Sequence, residues 1–276
     1  MNPFLGVLFH WIGGLAAGSF YAPYRAVHKW SWETYWLAGG LFSWIVAPWI
    51  FALLMVPSTI EALTSAGIPA MVWPYVFGVL WGVGGLTFGL TMRYLGMSLG
   101  MAVALGYCAV FGTLVPPIFH GTFMTEVVGT NSGIVILIGI AVCVAGIAVT
   151  GMAGMSKEVE LSDEAKAASV KEFDFKKGLL VATVAGIMSS CFAFGLAAGG
   201  KIKEMAATAG GDSLWHGLPV LIVVLAGGFT TNFIWCVILN VRNRSGGEYL
   251  GRTATGPQPA PIVLRNWLFC ILGGTI

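Results

Sequence analysis

Long apolar runs nearly free of charge recur at about 4–24, 34–56, 71–92, 98–120, 132–152, 178–199 and 217–240. Each reaches the roughly 20 apolar residues that a bilayer-spanning helix needs, so the pattern predicts seven full membrane spans. An eighth run begins at Arg265 and stops at Ile276, 12 residues in all. At ~1.5 Å per residue, such a helix crosses less than two-thirds of the hydrocarbon layer. The sequence therefore reads as a piece of a longer chain whose later spans are absent. The expected fold class is all-α, a polytopic transmembrane helix bundle.

The polar stretches between the runs set the orientation. The odd-numbered loops carry Arg25 and Lys29; Arg93; Lys157, Lys166, Lys171, Lys176 and Lys177; and Arg242, Arg244, Arg252 and Arg265. The even-numbered loops carry only Lys201 and Lys203. This split, 12 against 2, is a positive-inside signal that predicts an outside N-terminus and cytoplasmic odd loops. The two longest polar stretches, 153–177 and 241–264, are too short to bury a core of their own. The first reads as a charged segment at the membrane surface. The second, with Gly246-Gly247 and Gly256-Pro257-Gln258-Pro259-Ala260-Pro261, reads as an extended linker.

Five spans precede the charged stretch, and the sixth begins at Gly178 from the opposite side. A repeat of five spans after such a loop is inverted relative to the first, a recurrent transporter architecture. At an offset of 172 residues, Gly6, Leu8, Gly14 and Phe20 match Gly178, Leu180, Gly186 and Phe192. The expected organisation is thus a ten-helix, 5+5 inverted repeat. Residues 1–152 form the first repeat, 153–177 a cytoplasmic loop, and 178–276 an incomplete second repeat.

Composition narrows the function classes. With 57% hydrophobic and 9% charged residues, no soluble domain competes with the membrane reading, and a net charge of +2 points to lipid headgroups rather than nucleic acid. The five cysteines all fall in apolar runs without a Cys-x-x-Cys pair, so they read as small packing groups, with no metal or cofactor implied. Gly78, Gly82, Gly85 and Gly89 form one helical stripe that reads as a packing face.

Two blocks carry a family resemblance. One is Phe20-Tyr21-Ala22-Pro23-Tyr24 followed by Lys29-Trp30-Ser31-Trp32-Glu33-Thr34; the other runs from Leu90-Thr91-Met92-Arg93-Tyr94-Leu95 to Gly100. With Phe173-x-x-Lys176-Lys177-Gly178 further on, they resemble the L-rhamnose–proton symporter family of the drug/metabolite transporter superfamily. The resemblance covers most of the chain. It implies ten helices, a bacterial inner (cytoplasmic) membrane location, and proton-driven uptake of a deoxy sugar, the partners being L-rhamnose or a related sugar, protons and the bilayer. Another superfamily substrate, or a non-transporting membrane sugar sensor, is the alternative. Against an enzyme, the chain has no His-rich cluster, no paired carboxylates and no nucleophile with a base.

A proton-coupled sugar carrier needs a titrating group within the membrane and a polar, aromatic-lined pocket. His10, six residues inside the first span, is the proton-coupling candidate, since an ionisable group at that depth tends to face the bundle interior. Its alternative is a neutral histidine bonded to a neighbouring helix. Glu33 and Arg93, at cytoplasmic span ends, are candidates for an inner-gate ion pair, or else headgroup anchors. Trp11, Trp44 and Trp81, deeper than the interfacial Trp30, Trp32, Trp36, Trp73, Trp215 and Trp267, are substrate-binding candidates. So are Tyr21, Tyr107 and Asn232, polar groups inside spans that must find partners there. His120 and His216 read as solvated groups near outer span ends.

Overall fold

The computed structural model describes residues 3–20, 22–119, 121–160, 175–210 and 212–276, and it is all-helical apart from one short ribbon. The helices are α1 (Pro3–Ser19), α2 (Trp32–Leu41), α3 (Ala47–Met55), α4 (Thr59–Ala66), α5 (Ile68–Leu95) and α6 (Met97–Phe119). Next along the chain are α7 (Asn131–Glu160), α8 (Phe175–Ala198), α9 (Gly200–Thr208), α10 (Leu218–Asn243) and α11 (Ala260–Thr275). Among the described residues, six helical stretches are long and apolar enough to cross a membrane: Trp32–Met55, Ile68–Thr91, Leu99–Ile118, Asn131–Ala153, Phe175–Thr208 and Leu218–Asn243.

The first apolar run is shorter as a helix than the sequence suggests. α1 ends at Ser19, and Pro23–Ala26 is a 3-10 turn, because Pro23 brings no N–H to an α-helical ladder. The second run is one span in two parts, α2 and α3 joined by a π-helical turn over Phe42–Val46. A π turn inserts a residue into the ladder and so rotates α3 relative to α2, with Trp44 on the turn itself. In α6, Pro116 and Pro117 occupy the last turn, and the helix stops at Phe119.

The stretch 241–264 is folded rather than an extended linker. A 3-10 turn over Gly246–Leu250 leads into a two-residue ribbon, Arg252–Thr253 against Gly256–Pro257, and α11 starts at Ala260. Gly251 and Gly256 have φ of +79° and +113°, backbone that glycine adopts without a Cβ penalty. Of the expected surface segment 153–177, residues up to Glu160 continue α7, and 161–174 lie outside the described residues.

The chain forms two compact units, Met1–Ile68 with Lys201–Ile276, and Pro69–Gly200. In the first, α2 packs on α10 and α11, and α3 packs on α10. Its core holds Tyr24, Trp30, Ala38 and Cys270. Gly39 of α2 and Gly274 of α11 meet backbone to backbone, where a Cβ on Gly274 would run into the Gly39 carbonyl. Small residues allow such approach where water cannot drive helices together. In the second unit, α6 packs on α7 and α8 around Leu95, Leu99, Val103 and Ala182. Gly84 supplies the tight contact between α5 and α8: a Cβ there would lie 2.6 Å from the Ser189 nitrogen. Gly85 and Gly89 of the glycine stripe face nothing within 4 Å.

Candidate functional site

In the first unit, α2 presents aromatic rings toward the polar face of α10. Trp36 stacks on Trp32 with ring centroids 5.6 Å apart, and meets Trp44 edge-on at 5.9 Å. Trp36 Nε1 donates to Asn232 Oδ1 at 3.1 Å, while Asn232 Nδ2 donates to the Gly228 carbonyl one turn back on α10 at 2.9 Å. Asn232 is buried, so these bonds meet the requirement that a polar group in an apolar span be satisfied locally. Indole faces beside an oriented amide suit a sugar, whose C–H edges pack on rings and whose hydroxyls exchange hydrogen bonds with amides.

About a turn nearer the N-terminus of α2 lies a second polar cluster. Glu33 is buried, and its Oε1 accepts from Asn243 Nδ2 at 2.9 Å and from Ser245 Oγ at 2.7 Å. Asn240 Oδ1 accepts from Thr34 Oγ1 at 3.3 Å and from Ser245 Oγ at 3.1 Å. Its Nδ2 donates to the Cys236 carbonyl at 2.9 Å and to the Tyr249 hydroxyl at 3.3 Å. Burial pushes the Tyr249 phenol from its ordinary 10.0 up to about 12, against the opposing effect of the Asn240 bond.

A second buried carboxylate, Glu248, completes the start of α2. The Ser31 backbone N–H donates to its Oε2 at 2.6 Å, and the Ser31 hydroxyl donates to its Oε1 at 2.8 Å. Ser31 is the N-cap of α2 and makes no side-chain cap of its own; the carboxylate from the 246–250 turn holds its N–H and hydroxyl and complements the helix dipole. Nearby, the amides of Gln258 and Asn266 both donate to the His28 carbonyl at 2.9 Å. The basic segments 22–31 and 241–265 thus share one end of this unit.

The residues singled out from the sequence fall into distinct places. Trp44 and Asn232 come together through Trp36, a residue the sequence assigned to the membrane interface. Trp81 and Tyr107 belong to the second unit, where the Trp81 ring lies 5.1 Å from that of Phe192 and Tyr107 packs against Gly186. Trp11 is 71% exposed, and His10 is also exposed on the same helix, α1. Tyr21 and His120 lie outside the described residues, as does the Arg93 side chain. Glu33 is bonded to the neutral groups of Asn243 and Ser245. His216, expected to be solvated, is buried at the start of α10. Asn240, Ser245, Tyr249 and Glu248 went unremarked in the sequence. The asparagine alone had a signal, an amide eight residues beyond Asn232 in the same apolar run.

Residues 2–276 match the family described as L-rhamnose-proton symport protein. A relative in Escherichia coli O1:K1 / APEC, named L-rhamnose-proton symporter, is 36% identical over 270 residues, covering 98% of this chain and 76% of that protein. Proteins of the same name in Yersinia pestis bv. Antiqua (strain Antiqua) and Yersinia pseudotuberculosis serotype O:3 (strain YPIII) match to the same extent, 36% over 270 residues. No solved structure matches. The chain belongs to the L-rhamnose-proton symport protein family.

Proposed function

We propose that this protein imports L-rhamnose, or a closely related deoxy sugar, together with protons across the bacterial inner membrane. The family match over residues 2–276 carries the reading. The arrangement of Trp36, Trp44 and Asn232 supports it, since aromatic faces beside a fixed amide are what a sugar of mixed polarity requires. In this reading the N-terminus lies outside, and the basic odd-numbered loops lie in the cytoplasm. Two inverted repeats, the second beginning at Gly178, alternate access by rocking one against the other. The sugar rests against Trp36 and Trp44 with its hydroxyls competing for the Asn232 amide.

The test is external pH in a lightly buffered suspension of de-energised cells producing the protein, after addition of L-rhamnose. Rapid alkalinisation absent from vector controls is the expected result. No alkalinisation with the protein confirmed in the membrane overturns the reading. Counterflow with a panel of labelled solutes then identifies the substrate.

A further inference from the structure

The Glu33 carboxylate is buried inside the start of a membrane span, yet the bonds recorded for it come from neutral amide and hydroxyl groups rather than from a Lys or Arg. A basic partner would hold the group ionised. Neutral donors also favour the ionised form, but hold it less strongly than a basic partner, so the group can change charge provided that both charge states can be hydrogen-bonded.

Ser245 meets that condition. Its single hydroxyl proton has two acceptors within reach, Glu33 Oε1 at 2.7 Å and Asn240 Oδ1 at 3.1 Å. When Glu33 is ionised, the hydroxyl donates to the carboxylate. When Glu33 is protonated, the acid donates to Ser245 Oγ, and the Ser245 proton turns to Asn240 Oδ1. A lone pair on Glu33 Oε1 remains for Asn243. No group is orphaned in either state.

Glu248, the other buried carboxylate, lacks this freedom. Its hydroxyl partner, Ser31, has Glu248 as its one recorded acceptor among the described residues, so reversing that bond leaves the half-buried Ser31 hydroxyl to water rather than to a second side chain. Glu33 also has a way out, because Asn243, in direct contact with it, is exposed while Ser245 is buried.

We propose that Glu33 takes up and releases the transported proton, with Ser245 as the hydroxyl that reverses its bond; this rests on the symport reading above. The proton moves from water to the carboxylate, giving the neutral acid, and returns to water on the cytoplasmic side, so no other group changes. Tyr35 on the same helix, Cys236 on α10 and Tyr249 on the 246–250 turn face the Glu33 charge. Glu248 lies on that same turn and Cys270 on α11, and Arg242 and Arg244 flank Asn243 with exposed side chains. The same helix pair, α2 and α10, carries the Trp36–Asn232 bond. Altering the Glu33 bonds therefore acts on the pair that bears the proposed sugar contacts.

Two readouts test this. Infrared difference titration of the purified protein in lipid vesicles, without sugar, is expected to show a carboxylic acid C=O band that Glu33→Gln removes. In cells, Glu33→Gln is expected to cut rhamnose-driven alkalinisation by about a hundredfold, the loss typical of removing a proton-transferring side chain. Exchange of internal for external labelled rhamnose continues at close to the wild-type rate. Ser245→Ala is expected to keep uptake but shift its pH profile, and Ser245→Thr to restore it. The proposal is overturned if the band survives Glu33→Gln or never appears in the wild type. It is equally overturned if the variant alkalinises normally, or loses exchange as well at normal membrane levels. A wild type that shows the band but no rhamnose-driven pH change rejects the sugar reading while leaving Glu33 as the titrating group.

Discussion

At the scale of single residues, the amide of Asn232 is the most informative side chain, since it fixes an indole in a span where few polar groups exist. Asn232→Ala removes the amide oxygen that accepts from the Trp36 N–H. It is expected to raise the KM for rhamnose by about tenfold, equivalent to ~1.4 kcal/mol, which initial-rate uptake will check. Tyr249 gives a pH signature. Its pKa is raised on folding from 10.0 to about 12 by burial, so keeping the phenol neutral stabilises the fold. That contribution is fully present below pH about 10 and is lost as pH rises through about 12. Tyr249→Phe is expected to remove one phenol from the late-ionising part of the ultraviolet titration. Asn232 and Trp44 were legible in the sequence because polarity or depth inside an apolar run demands a partner. Trp36 was not, because an indole so near the start of a span resembles any interfacial anchor until its partner is known. Ser245 and Asn240 matter through their bonds to Glu33 and Thr34, more than 200 residues away, and no local periodicity encodes such pairs.

Among the elements, six of the seven apolar runs coincide with helices long and apolar enough to cross a membrane, because length and absence of charge are enough to define a span, while the first run gives a shorter apolar helix. What they did not contain was the shape of each span's ends and interruptions. The π turn over Phe42–Val46 has no composition of its own, and the folded 246–257 segment uses glycines that equally suit a linker. The glycine stripe illustrates the same point. Spacing marked Gly85 and Gly89, but the backbone contact falls on Gly84. Gly84→Ala is expected to lower stability by ~1–3 kcal/mol through overpacking against Ser189, while Gly85→Ala is expected to be neutral. Thermal unfolding of the two variants in detergent will check this. The 246–250 turn is held to α2 through Glu248. Glu248→Ala removes two bonds to a charged acceptor and is expected to cost ~1.5–3 kcal/mol. Faster hydrogen exchange over residues 28–34 and 246–258 is the measurement.

For the whole molecule, the loop-by-loop charge count predicted that the first and seventh loops lie on one side. Segments 22–31 and 241–265 do meet at one end of their unit. In a cysteine-free background, Lys29→Cys and Arg252→Cys are expected to react with an impermeant thiol reagent only from the cytoplasmic face, and Lys201→Cys only from outside. The division into two units was not legible, since hydropathy locates spans without pairing them. One unit is a continuous stretch, Pro69–Gly200, and the other joins the chain's beginning to its later part. The bond from Ser31 to Glu248 spans 217 residues. During synthesis at roughly 5–20 residues per second, the continuous unit has all its helices available first. The start of α2, by contrast, waits some tens of seconds for the turn that caps it. The order of assembly is therefore from the middle of the chain outward, and the earliest helices to emerge from the ribosome are among the last to be finished.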